Sequence, residues 1–187
     1  KLWESPRQSR GFTMINYFRS SLAHNTVCIN NQNHAEQYGY NHWKNKKNIT
    51  GKITDYIEDE EKVEFASACI FPDGALHKRK IEIYKKNFSL SIIDVVDCKG
   101  KKFSADILFH LPPNLAYDYT KKEIVINKRQ KLKFNTSLKF DIFKGCLKPR
   151  VIGWYSPEFS ELMLTQSLIS SHSGSGTATY TIQFNLS

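Results

Sequence analysis

The chain is poor in cysteine, with four in 187 residues, and Cys28, Cys69, Cys98 and Cys146 stand far apart. Without a Cys-x-x-Cys pair, a zinc knuckle or a dithiol redox motif is excluded. A chain of this size builds a core without covalent staples, so free and mostly buried thiols are expected rather than disulfides. No apolar run approaches the roughly 20 residues that cross a bilayer, and the opening KLWESPRQSR lacks the apolar stretch of a secretory leader. A start on Lys1 without an initiator methionine fits a mature product or a piece of something longer, which leaves localisation open. Acidic residues are in deficit, 18 against 27 basic, and the formal charge of +9 attracts polyanions of any kind. Also missing are a Gly-x-Ser-x-Gly elbow, a glycine-rich phosphate loop and a His-Glu-x-x-His helix.

What is present is apolar alternation. Hydrophobic residues make up 40% and aromatics 13%, enough buried surface to offset the entropy of folding and exclude a disordered chain. The length predicts a single domain over 1–187. Period-two runs at 52–57, 62–71, 80–84, 88–96, 103–111, 123–127, 131–143 and 177–186 predict eight or more strands. Turn signals separate them: Pro72-Asp73-Gly74, Gly100 in CKGKK, Pro112-Pro113, and SHSGSG ending at Gly176. No helical face of useful length is expected, and SPEFSELMLTQSLI reads as strand because Ser-Glu-Leu-Met-Leu-Thr alternates. The fold class is therefore all-β, an antiparallel β-sandwich or a broad pair of curved sheets.

Such a fold hosts many functions, so function has to come from a site. The basic runs KNKKNITGK, HKRKIEIYKK and KKEIVINKRQKLK resemble phosphate-binding stretches, but their charges alternate with apolar residues as on a solvated strand face. With no finger, helix-turn-helix or RNA-recognition signature, no nucleic-acid partner is expected. His34, His42, His77, His110 and His172 are scattered and read as satisfied structural residues. His24 differs, because it stands between a polar, arginine-containing approach and the apolar strand VCI, at the mouth of a sheet. Asn25 and Thr26 beside it can hydrogen-bond locally and fix the backbone. An imidazole so placed suits a metal or a proton.

The block YFRSSLAHNTVCINNQNHAEQY, followed by Trp43, resembles the arginine-serine, Ala-His-Asn-Thr-Val segment of the heparinase II/III-like polysaccharide lyases. Looser pieces follow in the same order: ASACIFPDGALHKRKIEI, SLSIIDVVDCKGKKFSADILFHLPP, GWYSPEFSELMLTQSLI and the closing TYTIQF. The resemblance implies the C-terminal β-sandwich of a two-part enzyme. Its N-terminal α/α toroid, absent from this chain, would supply a tyrosine acid/base and a group that neutralises the substrate carboxylate. It implies β-elimination on an acidic, uronate-containing polysaccharide, no activity from the sandwich alone, and a periplasmic or extracellular setting.

By the same resemblance His24 is a zinc ligand, its two partners coming from a His-x-His strand and an Asp-x-Gly-like turn expected upstream of Lys1. Arg19 would orient an acidic sugar or a loop, since a guanidinium fork matches a carboxylate, and pairing with an acidic residue of the protein is the equal alternative. Asn25 joins the substrate-binding candidates. Tyr38, Tyr40 and Trp43 would offer a stacking surface for sugar rings, or else pack in the core. No catalytic residue is assigned within the chain. A noncatalytic glycan-binding or scaffold sandwich is the competing expectation.

Overall fold

A computed structural model of the chain describes residues 10–38, 42–45, 49–118, 120–126, 130–158 and 161–186. The helix α1 (Arg10–Arg19) and a 3-10 turn (Ser21–Ala23) lead into β1 (Val27–Ile29) and the hairpin β2 (Ala35–Tyr38) and β3 (His42–Asn45). A meander follows: β4 (Thr50–Glu58), β5 (Lys62–Ile70), β6 (Leu76–Tyr84) and β7 (Ser89–His110). Then come β8 (Ala116–Asp118), β9 (Glu123–Val125), β10 (Lys131–Asn135), β11 (Asp141–Lys144), β12 (Trp154–Tyr155), β13 (Met163–Leu164) and β14 (Gln166–Leu186). The fold is the expected antiparallel sandwich, and all its main pairings are antiparallel.

The sandwich is built on two long strands, β7 of 22 residues and β14 of 21, which pair along nearly their whole length. They bend together. Ser175 faces Lys102, but Thr177 already faces Asp97, so residues 98–101 bulge opposite Gly176. The left-handed backbone there falls on Lys99 (φ 51°), Gly100 (φ 79°) and Gly176 (φ 72°), and Asp97 accepts the Lys99 N–H at 2.8 Å. On one side of the bend the order is β4-β5-β6-β7-β14-β10-β9-β8; on the other, β1 joins β7 and β11 joins β14. CKGKK and SHSGSG are thus not the loops their turn signals suggested. A bend shared by two paired strands keeps the ladder intact on both sides, so glycine marks a corner here rather than an end.

The core lies between the two halves. Ile92 and Val96 from before the bend pack with Ala105, Ile107 and Phe109 from after it, and with Val27 and Ile29 of β1. Phe134, 2% exposed, centres an aromatic group with ring centroids 5.0 Å from Phe184, 5.2 Å from Phe140 and 5.4 Å from Tyr117. Burying each such ring contributes about 1.5–3 kcal/mol. The expected single strand over 131–143 divides into β10 and β11, because the Thr136 hydroxyl donates to the Thr181 carbonyl and breaks the run. The expectation of no useful helix is also corrected. In α1, Met14 and Tyr17 are buried at helical spacing, and Tyr17 joins Cys28, Leu108, Ile152 and Ile169 in a second cluster on the outer face of the β1-β7-β14 layer. No described helix is long and apolar enough to cross a membrane. All four cysteines are free, Cys28 and Cys98 buried.

Candidate functional site

His24 caps the 3-10 turn with extended backbone (φ −121°, ψ 151°), and its N–H donates to the Ser21 carbonyl. The residue is exposed, and its imidazole makes no hydrogen bond among the described residues. What presents it is the next residue. β1 pairs with β7 through Val27 and Ile107, and the Thr26 carbonyl accepts the Leu108 N–H at 3.0 Å. One step further the main chain leaves the ladder. There the Asn25 side-chain oxygen takes the His110 N–H at 2.7 Å, standing in for a backbone carbonyl. The substitution frees the backbone to turn, and His24 swings out to solvent at the sheet mouth.

The Asn25 carbonyl is gripped from the other half of the sandwich by Arg79 Nη1. Arg79 and Asp94 are directly opposite on β6 and β7 and form a two-pronged pair, Nε to Oδ1 at 2.7 Å and Nη2 to Oδ2 at 2.9 Å. His77 Nε2 donates to the same Oδ1 at 2.8 Å. Asp94 is 0% exposed. Burial alone pushes its carboxyl up, but the bonds from His77 and Arg79 and the guanidinium charge outweigh that and hold it below the usual aspartate value.

Two further histidines surround the motif. The Ser21 hydroxyl accepts the main-chain N–H of His34 at 3.1 Å and pairs with the Nδ1 of that residue's imidazole at 2.7 Å. Burial, then His77 and His24, push His34 down. His110 lies beneath the 3-10 turn with Nδ1 paired to Ser167 Oγ at 2.7 Å. Burial, followed by the His24 imidazole, lowers it to about 4. The carbonyls of Leu22 and His24 face the ring and oppose that shift, without closing a hydrogen bond on the buried Nε2. Both rings are therefore neutral at pH 7. An open groove of about 380 Å³ runs beside His34, lined by it and His77 together with Gly51, Lys52, Ser67 and Cys69.

The other candidates fall around this point. Arg19 ends α1, exposed, where a cation suits the helix dipole. Asn25 is exposed, with its side-chain oxygen committed to the His110 N–H. Tyr38 and Trp43 stand on the β2-β3 hairpin, paired with His42 and Gln37; their side chains, and Tyr40 entirely, lie outside the described residues. His24 fits one zinc position, as an exposed imidazole with no hydrogen bond among the described residues. Among the described residues no three His, Cys, Asp or Glu side chains converge as a metal cage, so further donors would have to come from elsewhere. Sequence reasoning read His77 and His110 as structural residues, and both are hydrogen-bonded, but it did not connect them or Arg79 with the motif. For Arg79 and His77 the signal was Asp94, a lone carboxylate inside the apolar run SIIDVV, which must find a cation when buried.

Three comparisons bear on this arrangement. A family model described as Heparinase II/III-like, C-terminal, matches residues 13–183. No curated protein matches the chain. Among solved structures, heparan sulfate lyase HepC from Pedobacter heparinus superposes with a TM-score of 0.69 at 11% identity, over 99% of this chain and 27% of that one. A heparinase III gene product gives 0.68 at 13% identity, over 100% and 27%. Another structure of a heparinase III gives 0.67 at 16%, over 92% and 25%. The likeness is one of fold, and the chain spans about a quarter of the length of these proteins.

Proposed function

The chain belongs to the heparinase II/III-like C-terminal family, and from that premise we propose that it is the sheet part of a polysaccharide lyase acting on acidic, uronate-containing chains. The observation that carries the proposal is the outward presentation of His24, an exposed imidazole with no hydrogen bond among the described residues, on a motif fastened at Asn25 from both sides. Glycosaminoglycans are the substrate class to try first, since the structures with this fold include a heparan sulfate lyase.

In β-elimination a base takes the proton beside the uronate carboxylate, and the glycosidic oxygen leaves from the next carbon with a proton supplied to it. Neutralising the carboxylate stabilises the carbanion-like state. In this proposal an N-terminal toroid supplies those groups, and the sandwich alone is inactive. His24 would hold zinc together with donors outside the chain, the ion supplying a rigid cross-link and fixed positive charge at the cleft wall. Arg19 orients the acidic sugar, and the aromatic residues of the β2-β3 hairpin stack on sugar rings. The net charge of +9 gathers a polyanion into the cleft with a salt-sensitive on-rate. A periplasmic or extracellular setting fits substrates of that kind.

The experiment is a lyase assay on the full-length protein and its His24→Ala variant across uronate polysaccharides, following the ultraviolet absorbance of unsaturated uronyl ends, with zinc content measured in parallel. Activity and stoichiometric zinc, both lost in the variant, are expected. A folded protein with no signal on any acidic glycan would favour a glycan-binding sandwich, and unchanged zinc in His24→Ala would remove the ligand role.

A further inference from the structure

Arg79 reaches the His24 loop from the opposite half of the sandwich, and nothing in the proposed chemistry uses it. We infer that Arg79, seated on Asp94, is a positioning residue that fixes how His24 is presented by holding the Asn25 carbonyl; its bearing on zinc rests on the ligand role proposed above. The guanidinium offers a planar fork of five N–H groups. Nε and Nη2 are taken by the two oxygens of Asp94 at 2.7 and 2.9 Å, which aims the remaining Nη1 at Asn25.

The seat is rigid. Asp94 is fully buried, receives a third donor from His77 at 2.8 Å, and lies in β7 between β6 and β14. The loop therefore conforms to the guanidinium rather than the reverse. A buried ion pair adds little stability over apolar packing of equal volume. What it supplies here, and apolar side chains cannot, is a directed donor on the residue next to His24. Lysine cannot replace it, since a single ammonium on a flexible stem cannot occupy both carboxylate oxygens and the carbonyl with fixed geometry. Asn25 is thereby held twice, by Arg79 on its carbonyl and by its own side chain on the His110 N–H.

The test compares the full-length protein with Arg79→Lys and with Arg79→Met/Asp94→Leu, the second removing the guanidinium without stranding a buried carboxylate. Hydrogen exchange is read in peptides covering 22–26, where the His24 N–H closes the 3-10 turn, and 108–110, where the Leu108 and His110 N–H groups bond across to the loop, and zinc affinity by chelator competition. Positioning predicts exchange there faster by about ten-fold, with the β7-β14 ladder on the other side of the bend, 89–97 against 177–185, unchanged, and zinc affinity weaker by about 10–100-fold. Unchanged loop exchange, or a rise matched across the whole sandwich, overturns the proposal. So does faster loop exchange with unaltered zinc affinity in a protein whose zinc depends on His24. If His24→Ala retains its zinc, the ligand role fails, and the exchange comparison still decides whether Arg79 positions the loop.

Discussion

The Arg79-Asp94 pair allows a quantitative prediction about the sandwich itself. Asp94 is 0% exposed and the Arg79 side chain 14%, so neither charge finds water if its partner is removed. Asp94→Leu strands a guanidinium and Arg79→Met strands a carboxylate; each should cost about 3–5 kcal/mol. For a chain of this length that is a fall in Tm of about 6–20 °C. The double substitution removes both charges, leaves only the His77 N–H without its acceptor, and should lie within about 1–3 kcal/mol of the parent, giving a coupling energy of at least about 3 kcal/mol. The cycle is measured by urea unfolding at pH 7, followed by tryptophan fluorescence. The sign of its pH dependence is fixed by Asp94, whose carboxyl is held below the ordinary value of 3.8 in the folded state. Its stabilisation is present above that value and disappears as pH falls through the lower folded value. Coupling should therefore be full at pH 5 and shrink only in stronger acid. Two single substitutions whose costs add to within about 0.5 kcal/mol would refute the reasoning.

Two further outcomes test other parts of the molecule. At Gly153 (φ +80°) an added Cβ would lie 2.6 Å from the Gly145 nitrogen and 2.9 Å from both the Lys144 Cα and the Phe143 carbonyl oxygen. Backbone cannot yield as a side chain can, so Gly153→Ala should cost more than about 3 kcal/mol. Gly51→Ala, with nothing within 4 Å, should be nearly neutral, and equal thermal shifts in the two variants would count against the described backbone. His110 is held at about 4 against an ordinary 6.5, so the unfolded chain binds its proton first. Stability is complete above pH 6.5 and should fall by up to about 3 kcal/mol as pH drops toward 4. His110→Gln should flatten that limb of the urea-midpoint profile, and an unaltered slope would place the acid sensitivity elsewhere.

Strand content was legible because most strands here have one wet face and one dry face, and alternation reports that directly. It was less able to say where a strand ends. A turn signal and a corner signal use the same glycines, and only pairing with a second long strand distinguishes Gly100 and Gly176 from hairpin residues. The helix α1 was hidden because RGFTMINYFR is short and has no acidic residue in its first turn; its buried face becomes clear only when Tyr17 meets Cys28 and Ile169.

At the site, the same ambiguity acted on charge. HKRKIEIYKK alternates whether its cations face water or face the interior, so Arg79 looked like a solvated surface and His77 like an isolated structural residue. Asp94 carried the missing information. In SIIDVVD a carboxylate stands two residues from Ile92 and Val96, and alternation therefore puts it on the core face. An inward carboxylate requires a donor directly across the ladder. In a β6-β7 hairpin that requirement selects the register: opposing Asp94 to Arg79 also brings Ile92 opposite Ile81, and Val96 opposite His77. A slip by one residue would place Lys78 or Lys80 against the carboxylate and turn the apolar set outward. The buried pair is thus a register pin as well as a hold on Asn25, and strand pairing carries its directionality across the sandwich to the loop that presents His24.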